Sequence, residues 1–246
     1  MSKRYKILIE YDGRPYVGWQ RQINGVGVQG AIETAIKKFT GSDVTVIGSG
    51  RTDTGVHACG QVAHFDLNKD MQPEKIMGAL NFHLGDNPIS ILHIEEVSED
   101  FNARFSAKQR HYTYKILNRH AEPTFNLGLV WHVYHPLDAV LMHEAAQILV
   151  GTHDFTTFRS VHCQSKNPIK TMDALSVERR GNDIWVHASA KSFLHHQIRS
   201  ITGCLKLVGA GRWTSEDLKA ALYAKDRAEL GFNAPPDGLY FMKVDY

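Results

Sequence analysis

A single carboxylate in a glycine-rich segment is the strongest chemical feature of this sequence. Asp53 lies within Gly48-Ser-Gly-Arg-Thr-Asp-Thr-Gly-Val-His-Ala58, with Arg51 two residues before it and His57 four residues after it. Glycines permit backbone angles that other residues avoid, and they leave room for a large ligand near the main chain. A carboxylate can act as a nucleophile without a metal, but an aspartate between glycines also commonly hydrogen-bonds its own turn. The segment by itself favours the second role, and only the rest of the chain favours the first.

Arginines and aromatic residues occur together in four other segments, at residues 104–105, 108–114, 153–159 and 191–199. Arginine binds phosphate oxygens through a planar fork, and aromatic rings stack on unpaired bases. Each segment alone is equally typical of a solvated rim beside a core aromatic residue. Four such segments in one chain with the glycine-rich segment indicate RNA as a partner.

The sequence lacks the common motifs of several enzyme classes. The glycine-rich segment does not end in the Gly-Lys-Ser/Thr of a phosphate loop, and no dinucleotide fingerprint, His-Glu-x-x-His or Gly-x-Ser-x-Gly occurs. His195 and His196 are adjacent, so on a helix their rings are expected to point apart, which disfavours a metal site there. These observations argue against NTPases, dehydrogenases, zinc enzymes and serine hydrolases.

The composition is that of an ordinary globular protein. Of the 246 residues, 43% are hydrophobic and 22% are charged, which is enough for one large domain or two modest ones. The net charge of +2 is too small to indicate a nucleic-acid partner by itself. The three cysteines are widely spaced, and neither an apolar signal region nor an apolar run of membrane-spanning length is present. The sequence therefore predicts a soluble cytoplasmic protein.

Strand and helix patterns place Asp53 at the edge of a sheet. Tyr5–Tyr11 alternates in the manner of a strand. A short strand at Val44–Ile47 leads into the glycine-rich segment and another at Gln61–Phe65 leaves it, so Asp53 is expected on the rim between two strands. The first half further predicts helices at Val28–Phe39 and Pro73–Phe82 and a strand at Ile89–Val97.

The second half contains a similar mixture of strands and helices. One predicted helix is capped by Asp138, stops at Gly151 and buries Leu141, Ala145, Ile148 and Leu149. The other predicted elements are strands at His111–Leu117, Ile169–Glu178, Asp183–Ala190 and Gly238–Val244, a helix at His195–Val208 and a helix capped by Thr214. Together the two halves predict an α+β fold of two α/β subdomains, residues 1–105 and 106–246, with largely antiparallel strands.

Four motifs occur in the order found in the TruA-type tRNA pseudouridine synthases, and the chain resembles that family from Tyr5 to its last residue. The first motif is the glycine-rich segment, which is highly specific. The others are Arg110-His-Tyr-Thr-Tyr114, Phe193-Leu-His-His-Gln-Ile-Arg199 and Pro235-Pro-Asp-Gly-Leu-Tyr240. The third motif departs from the His-Met-Val-Arg-Asn common in the family. It keeps the arginine, so the departure concerns local packing or a neighbouring RNA contact.

The resemblance implies an activity and a set of site residues. Asp53 matches the catalytic aspartate, Tyr112 the tyrosine that lies against the target base, Arg51 and Arg199 the basic residues near the aspartate, and Leu239 a leucine of the same pocket. The implied reaction converts uridine to pseudouridine in the anticodon stem-loop of tRNA (positions 38–40), without a cofactor or metal. The implied architecture is a homodimer in which the two α/β halves share a central antiparallel sheet, with helices on one side and an RNA-binding cleft on the other.

The chemistry of the residues agrees with that implication. A stacked uridine must be rotated out of its helix before it can be rearranged, Tyr112 offers a ring for stacking, and an arginine near Asp53 favours the ionised carboxylate. Two alternatives remain. A non-catalytic RNA-binding protein would bind tRNA without forming product, and a hydrolase that uses Asp53, histidines and a metal would be inhibited by a chelator.

Overall fold

The computed structural model describes residues 2–23 and 25–246. The chain folds into two compact units: the first comprises the chain up to Lys108 together with Phe241–Tyr246, and the second comprises Gln109–Tyr240. The boundary predicted from the sequence, between residues 105 and 106, lies three residues before this division. No helix in the described part of the chain combines the length and the apolar character needed to cross a membrane.

The first unit is built around a central strand, β1. It contains β1 (Lys3–Tyr11), α1 (Val28–Thr40), β2 (Ile47–Gly48), β3 (His57–Leu67), α2 (Pro73–Leu84) and β4 (Ile89–Val97). β1 pairs antiparallel with β3 on one side and β4 on the other, and β2 pairs antiparallel with β3. The predicted alternation of β1 is confirmed, because Tyr5, Ile7, Ile9 and Tyr11 are all buried.

The strand before Asp53 is shorter than predicted. The sequence pattern predicted a strand at Val44–Ile47, but β2 contains only Ile47 and Gly48. The backbone N–H of Val46 donates instead to the buried carboxylate of Glu33 on α1, at 3.0 Å. This side-chain contact holds the segment on the helix and keeps it out of strand pairing.

The second unit is a mainly antiparallel sheet with helices packed on it. Its elements are β5 (Gln109–Leu117), β6 (Trp131–His132), α3 (Ala139–Ala146), β7 (Gly151–Asp154), β8 (Ile169–Arg180), β9 (Asp183–Ala190), α4 (Gln197–Gly209) and α5 (Ser215–Ala224). The strand order is β5-β9-β8-β7, and β6 pairs parallel with β5. The last strand, β10 (Leu239–Asp245), begins in the second unit and ends in the first. The predicted α+β class with largely antiparallel strands is confirmed.

The helix after Asp138 differs from its prediction in length and in its buried face. Asp138 caps α3 as predicted, since its carboxylate accepts the backbone N–H groups of Val140 and Leu141. The helix ends at Ala146, a 3₁₀ turn follows, and Leu141 is 46% exposed. Met142 is fully buried instead. Neighbouring helical residues point about 100° apart, so burying Met142 turns Leu141 towards solvent.

His64 on β3 gives the first unit a pH-dependent stability. Its Nδ1 accepts the N–H of Ala103 at 3.1 Å. Burial lowers the pKa of His64 below its ordinary 6.5, nearby Arg4 lowers it further, and Asp66 opposes the shift. The neutral ring is therefore favoured in the folded state, and the unfolded chain takes up a proton at higher pH than the folded chain. The free energy of unfolding is expected to decrease as pH falls below about 6.5.

Urea unfolding between pH 7 and 5.5 measures this effect. We expect His64→Gln to reduce the pH dependence of the unfolding free energy, because glutamine can still accept a hydrogen bond but does not titrate. His93→Gln, at an exposed position on β4, is the control and should keep the wild-type dependence. Equal pH dependence in both variants would contradict the role given to His64.

Candidate active site

Asp53 lies in a short loop between two paired strands. We call residues 49–56 the Asp53 loop; it joins β2 to β3, which pair with Ile47 opposite His64 and Gly48 opposite Ala63. Asp53 is half-exposed and Arg51 is exposed. This position at the end of a strand pair is the one predicted from the sequence.

Main-chain hydrogen bonds fix the shape of the Asp53 loop. The carbonyl of Thr52 accepts the N–H of Trp19 at 3.1 Å, and the carbonyl of Asp53 accepts the N–H of Val56 at 3.1 Å. The second bond closes a turn in which Gly55 has a φ of 78°, a conformation that glycine adopts without strain. The loop is therefore held on both sides of the aspartate.

The missing side chain at Gly48 makes room for Trp19, whereas the sequence suggested room for a ligand. A β-carbon at this position would lie 2.6 Å from the indole ring of Trp19. Trp19 is 3% exposed and its ring lies 6.1 Å from that of Tyr11. The space left by the missing side chain at Gly48 is thus filled by the protein's own core and is not left for a ligand.

His57 is part of the support of the loop. It is 1% exposed, and its Nδ1 accepts the N–H of Gly13 at 3.2 Å. The carboxylate of Asp12 lies 3.2 Å from the same nitrogen. Burial raises the pKa of Asp12, but hydrogen bonds from Arg14 outweigh it and leave the pKa below its ordinary value. His57 therefore connects the end of the Asp53 loop to the turn that follows β1.

Tyr112 lies on β5 in the second unit. It is 9% exposed and opposes Ala188 on β9. Its ring meets that of Phe193 edge to face, with centroids 5.1 Å apart and an angle of 84° between the planes. Such a contact is favoured by the ring quadrupoles, so Tyr112 has a fixed orientation.

Arg199 on α4 ties the helix to the segment that leads to Leu239. Its side-chain Nε donates to the carbonyl of Ala234 at 2.8 Å, and the N–H of Ala234 donates back to the carbonyl of Arg199 at 3.0 Å. The hydroxyl of Tyr114 donates to the carbonyl of Pro235 at 2.7 Å. Leu239 is 5% exposed. Hydrogen bonds within the second unit thus connect α4, which carries Arg199, and β5 to the segment just before Leu239.

The two adjacent histidines before α4 do not behave as predicted. α4 begins at Gln197, not at His195, because His196 has a φ of 67° and the side chain of Gln197 accepts the N–H of Leu194 at 2.8 Å. The rings of His195 and His196 lie 4.2 Å apart. The expectation that they point apart is wrong, because it assumed a helical backbone at both residues.

The sequence indicated the position of the Asp53 loop but not the buried residues that support it, Tyr11 and Gln61. Both are in strands whose pattern indicates only core packing. The one available signal was a fully buried glutamine in the middle of β3, because a polar side chain in a core requires partners.

Comparisons with known proteins agree with these features. The family described as tRNA pseudouridine synthase matches residues 7–106 and 145–246. That match includes Arg51, Asp53, Arg199 and Leu239, but not Tyr112. The chain is 56% identical over 246 residues to tRNA pseudouridine synthase A of Bartonella bacilliformis, with 99% of both chains covered. It is 54% identical over 243 residues to the protein of that name from Methylocella silvestris, covering 99% of this chain and 98% of the relative.

Among solved structures, a Cbf5-Nop10-Gar1 complex is similar at a TM-score of 0.40 and 12% identity, over 97% of this chain and 48% of that chain. This chain spans about half of that one. The full-length sequence matches identify this chain as an RNA-modifying isomerase. It belongs to the tRNA pseudouridine synthase family, as the ordered motifs predicted.

Proposed function

We propose that this protein converts uridine to pseudouridine in the anticodon stem-loop of tRNA, with Asp53 as the nucleophile on a uridine rotated out of its helix. The observation that carries the proposal is the half-exposed carboxylate of Asp53 in a loop fixed by the protein on both sides. A preorganised nucleophile loses little entropy when it reacts. The target uridine in the anticodon stem-loop follows from the family resemblance.

The proposed roles of the other residues come from the family resemblance. Tyr112 supports the extruded base with its ring, which Phe193 holds in one orientation. Arg51, exposed beside Asp53 in sequence, and Arg199 bind phosphate or stabilise the carboxylate. Leu239 contributes apolar surface to the pocket for the base.

The free-energy cost of extruding the base and the gain from stacking it on a ring are of similar size. Extruding a base costs a few kcal/mol, and stacking on an aromatic ring returns roughly 1–3 kcal/mol. In the reaction the bond from N1 of uracil to the ribose breaks, a bond from C5 to the same ribose carbon forms, and C5 loses its hydrogen while N1 gains one, so the product is an isomer of the substrate. Any bond that Asp53 forms with the base or the ribose breaks again before product release, which regenerates the carboxylate. The proposed reaction includes no cofactor, no metal and no net redox change, and the carboxylate of Asp53 attacks either the base or the ribose carbon.

An exposed arginine–aromatic pair in the first unit supports RNA contact outside the reacting nucleotide. Phe105 is 79% exposed, and the guanidinium of Arg104 lies 5.5 Å from the centre of its ring. Stacking of bases on aromatic rings and on arginine guanidinium planes is common in RNA recognition, and both groups of this pair belong to the arginine–aromatic segments of the sequence. We assign this pair to contact with tRNA.

We further propose that the protein is a homodimer and acts in the cytoplasm. The dimer follows from the family resemblance, and light scattering on the purified protein tests it. The cytoplasmic location is supported by the small number and wide spacing of the cysteines, Cys59, Cys163 and Cys204, which suit a reducing compartment.

The deciding experiment incubates purified protein with unmodified tRNA and maps the product. Pseudouridine has the mass of uridine, so carbodiimide labelling followed by mass spectrometry and reverse transcription locates it. We expect labelled positions in the anticodon stem-loop, with and without a strong chelator. Labelling elsewhere would overturn the assigned target. tRNA binding without any product would favour an RNA-binding protein, and chelator-sensitive cleavage would favour a metal hydrolase.

The ring of Tyr112 is expected to matter more than its hydroxyl. Tyr112→Phe should keep tRNA affinity and lower turnover only modestly, because it preserves stacking and the edge-to-face contact with Phe193. Tyr112→Ala removes the ring, and we expect turnover to fall by about 10- to 100-fold, from roughly 1–3 kcal/mol of lost stacking. Single-turnover rates and filter binding measure both. A large defect in Tyr112→Phe would instead assign the hydroxyl to proton transfer.

A further inference from the structure

Four buried polar side chains lie in the Asp53 loop or in the strands next to it, all in the first unit. Tyr11, Ser49, Thr52 and Gln61 are 4%, 1%, 7% and 0% exposed. Burying polar groups costs free energy unless each finds a partner, and apolar residues could fill the same core. A satisfied polar network, by contrast, fixes one geometry.

The hydrogen bonds of these four side chains fix the main chain on both sides of Arg51. The amide of Gln61 donates to the carbonyl of Gly50 at 2.9 Å and accepts the hydroxyl of Ser49 at 2.7 Å. The hydroxyl of Tyr11 lies 2.8 Å from Oγ1 of Thr52.

Thr52 is held from two directions. Its side chain is bound to Tyr11, and its carbonyl accepts the N–H of Trp19 at 3.1 Å. Because Thr52 points into the core, Arg51 before it is exposed and Asp53 after it is half-exposed. The direction of the Asp53 side chain therefore depends on the orientation of Thr52.

We propose that Tyr11 is a positioning residue for the reaction, because its hydroxyl holds Thr52 and thereby aims the carboxylate of Asp53. The inference rests on the proposed role of Asp53 as the nucleophile. Burial raises the pKa of Tyr11 to about 12, against hydrogen bonds from Thr52 and Gln61. The hydroxyl stays protonated at neutral pH, so Tyr11 acts through its hydrogen bond and not through proton transfer.

Tyr11→Phe tests the proposal, with Tyr5→Phe as a matched control. Tyr5 is on the same strand and is fully buried, and its hydroxyl donates to the carbonyl of Met71 at 2.9 Å, outside the Asp53 loop. Both variants lose one buried hydrogen bond, so both should unfold at lower denaturant concentration. Only Tyr11→Phe should lower kcat, by about 10- to 100-fold, with KM for tRNA unchanged.

Variants of Thr52 provide a second test that does not depend on the folding of Tyr11→Phe. Thr52→Val keeps the shape and removes the hydroxyl, and it should lower kcat as Tyr11→Phe does. Thr52→Ser keeps the hydroxyl and should restore most of kcat. The double variant Tyr11→Phe/Thr52→Val should be no slower than the slower single variant, because both changes break the same bond.

Two results would overturn the inference. One is a wild-type kcat in both Tyr11→Phe and Thr52→Val while Asp53→Asn is inactive. The other is an equal loss of kcat in Tyr11→Phe and Tyr5→Phe, which would indicate general destabilisation. An active Asp53→Asn variant would instead overturn the proposed function itself, so the two failures are distinguishable.

Discussion

Asp53→Asn is expected to abolish pseudouridine formation while leaving tRNA affinity within about threefold. The amide has the size of the carboxylate but cannot act as the nucleophile. Loss of an enzyme's nucleophile typically lowers the rate by about 10⁴-fold or more. The backbone around Asp53 is fixed by Thr52 and Val56, so the variant should keep the shape of the loop.

Rates under single-turnover conditions and tRNA affinity by filter binding measure this expectation. Asp43→Asn is the matched control: it makes the same change of charge in the same unit, at an exposed aspartate that pairs with Lys37, and it should react at the wild-type rate. Asp53→Ala should be as inactive as Asp53→Asn. Equal rates for Asp53→Asn and Asp43→Asn would remove Asp53 from the mechanism.

Elements defined by local periodicity were predictable from the sequence. Both ends of β4 were predicted correctly, and α1 begins at the predicted Val28. These predictions succeeded because alternation and helical spacing directly reflect which residues face a core. β2 was predicted wrongly because its end depends on a bond between Val46 and Glu33, thirteen residues earlier. Such a bond leaves no periodic pattern in the sequence.

The position of Asp53 between two strands was predictable from the sequence, and the contacts that hold its loop were not. The glycine-rich segment singled out Asp53 as a candidate because its residue types are unusual together. Tyr11 resembled the last core residue of a strand, and its hydroxyl bonds to Thr52, 41 residues away. The positive φ of His196 had no signal either, since this conformation is uncommon in any residue other than glycine. Contacts between distant segments decide such features.

Gly18→Ala is expected to damage both stability and catalysis. Gly18 has a φ of 105°, and a β-carbon there would lie 2.6 Å from the carbonyl oxygen of Thr52. Left-handed backbone strain costs about 1–2 kcal/mol, and forcing the two backbones apart adds about 1–3 kcal/mol. Because the displaced carbonyl belongs to the residue before Asp53, turnover should fall even where the variant is folded.

Gly41→Ala is the control that separates the cost of backbone strain from the cost of displacing the carbonyl of Thr52. Gly41 ends α1 with a φ of 75°, and no atom lies within 4 Å of its would-be β-carbon. It should lose only the strain energy, about 1–2 kcal/mol, and keep wild-type turnover. Urea unfolding and single-turnover rates compare the two variants. If Gly18→Ala lost no more stability than Gly41→Ala and reacted normally, the contact between Gly18 and Thr52 would not hold the Asp53 loop in place.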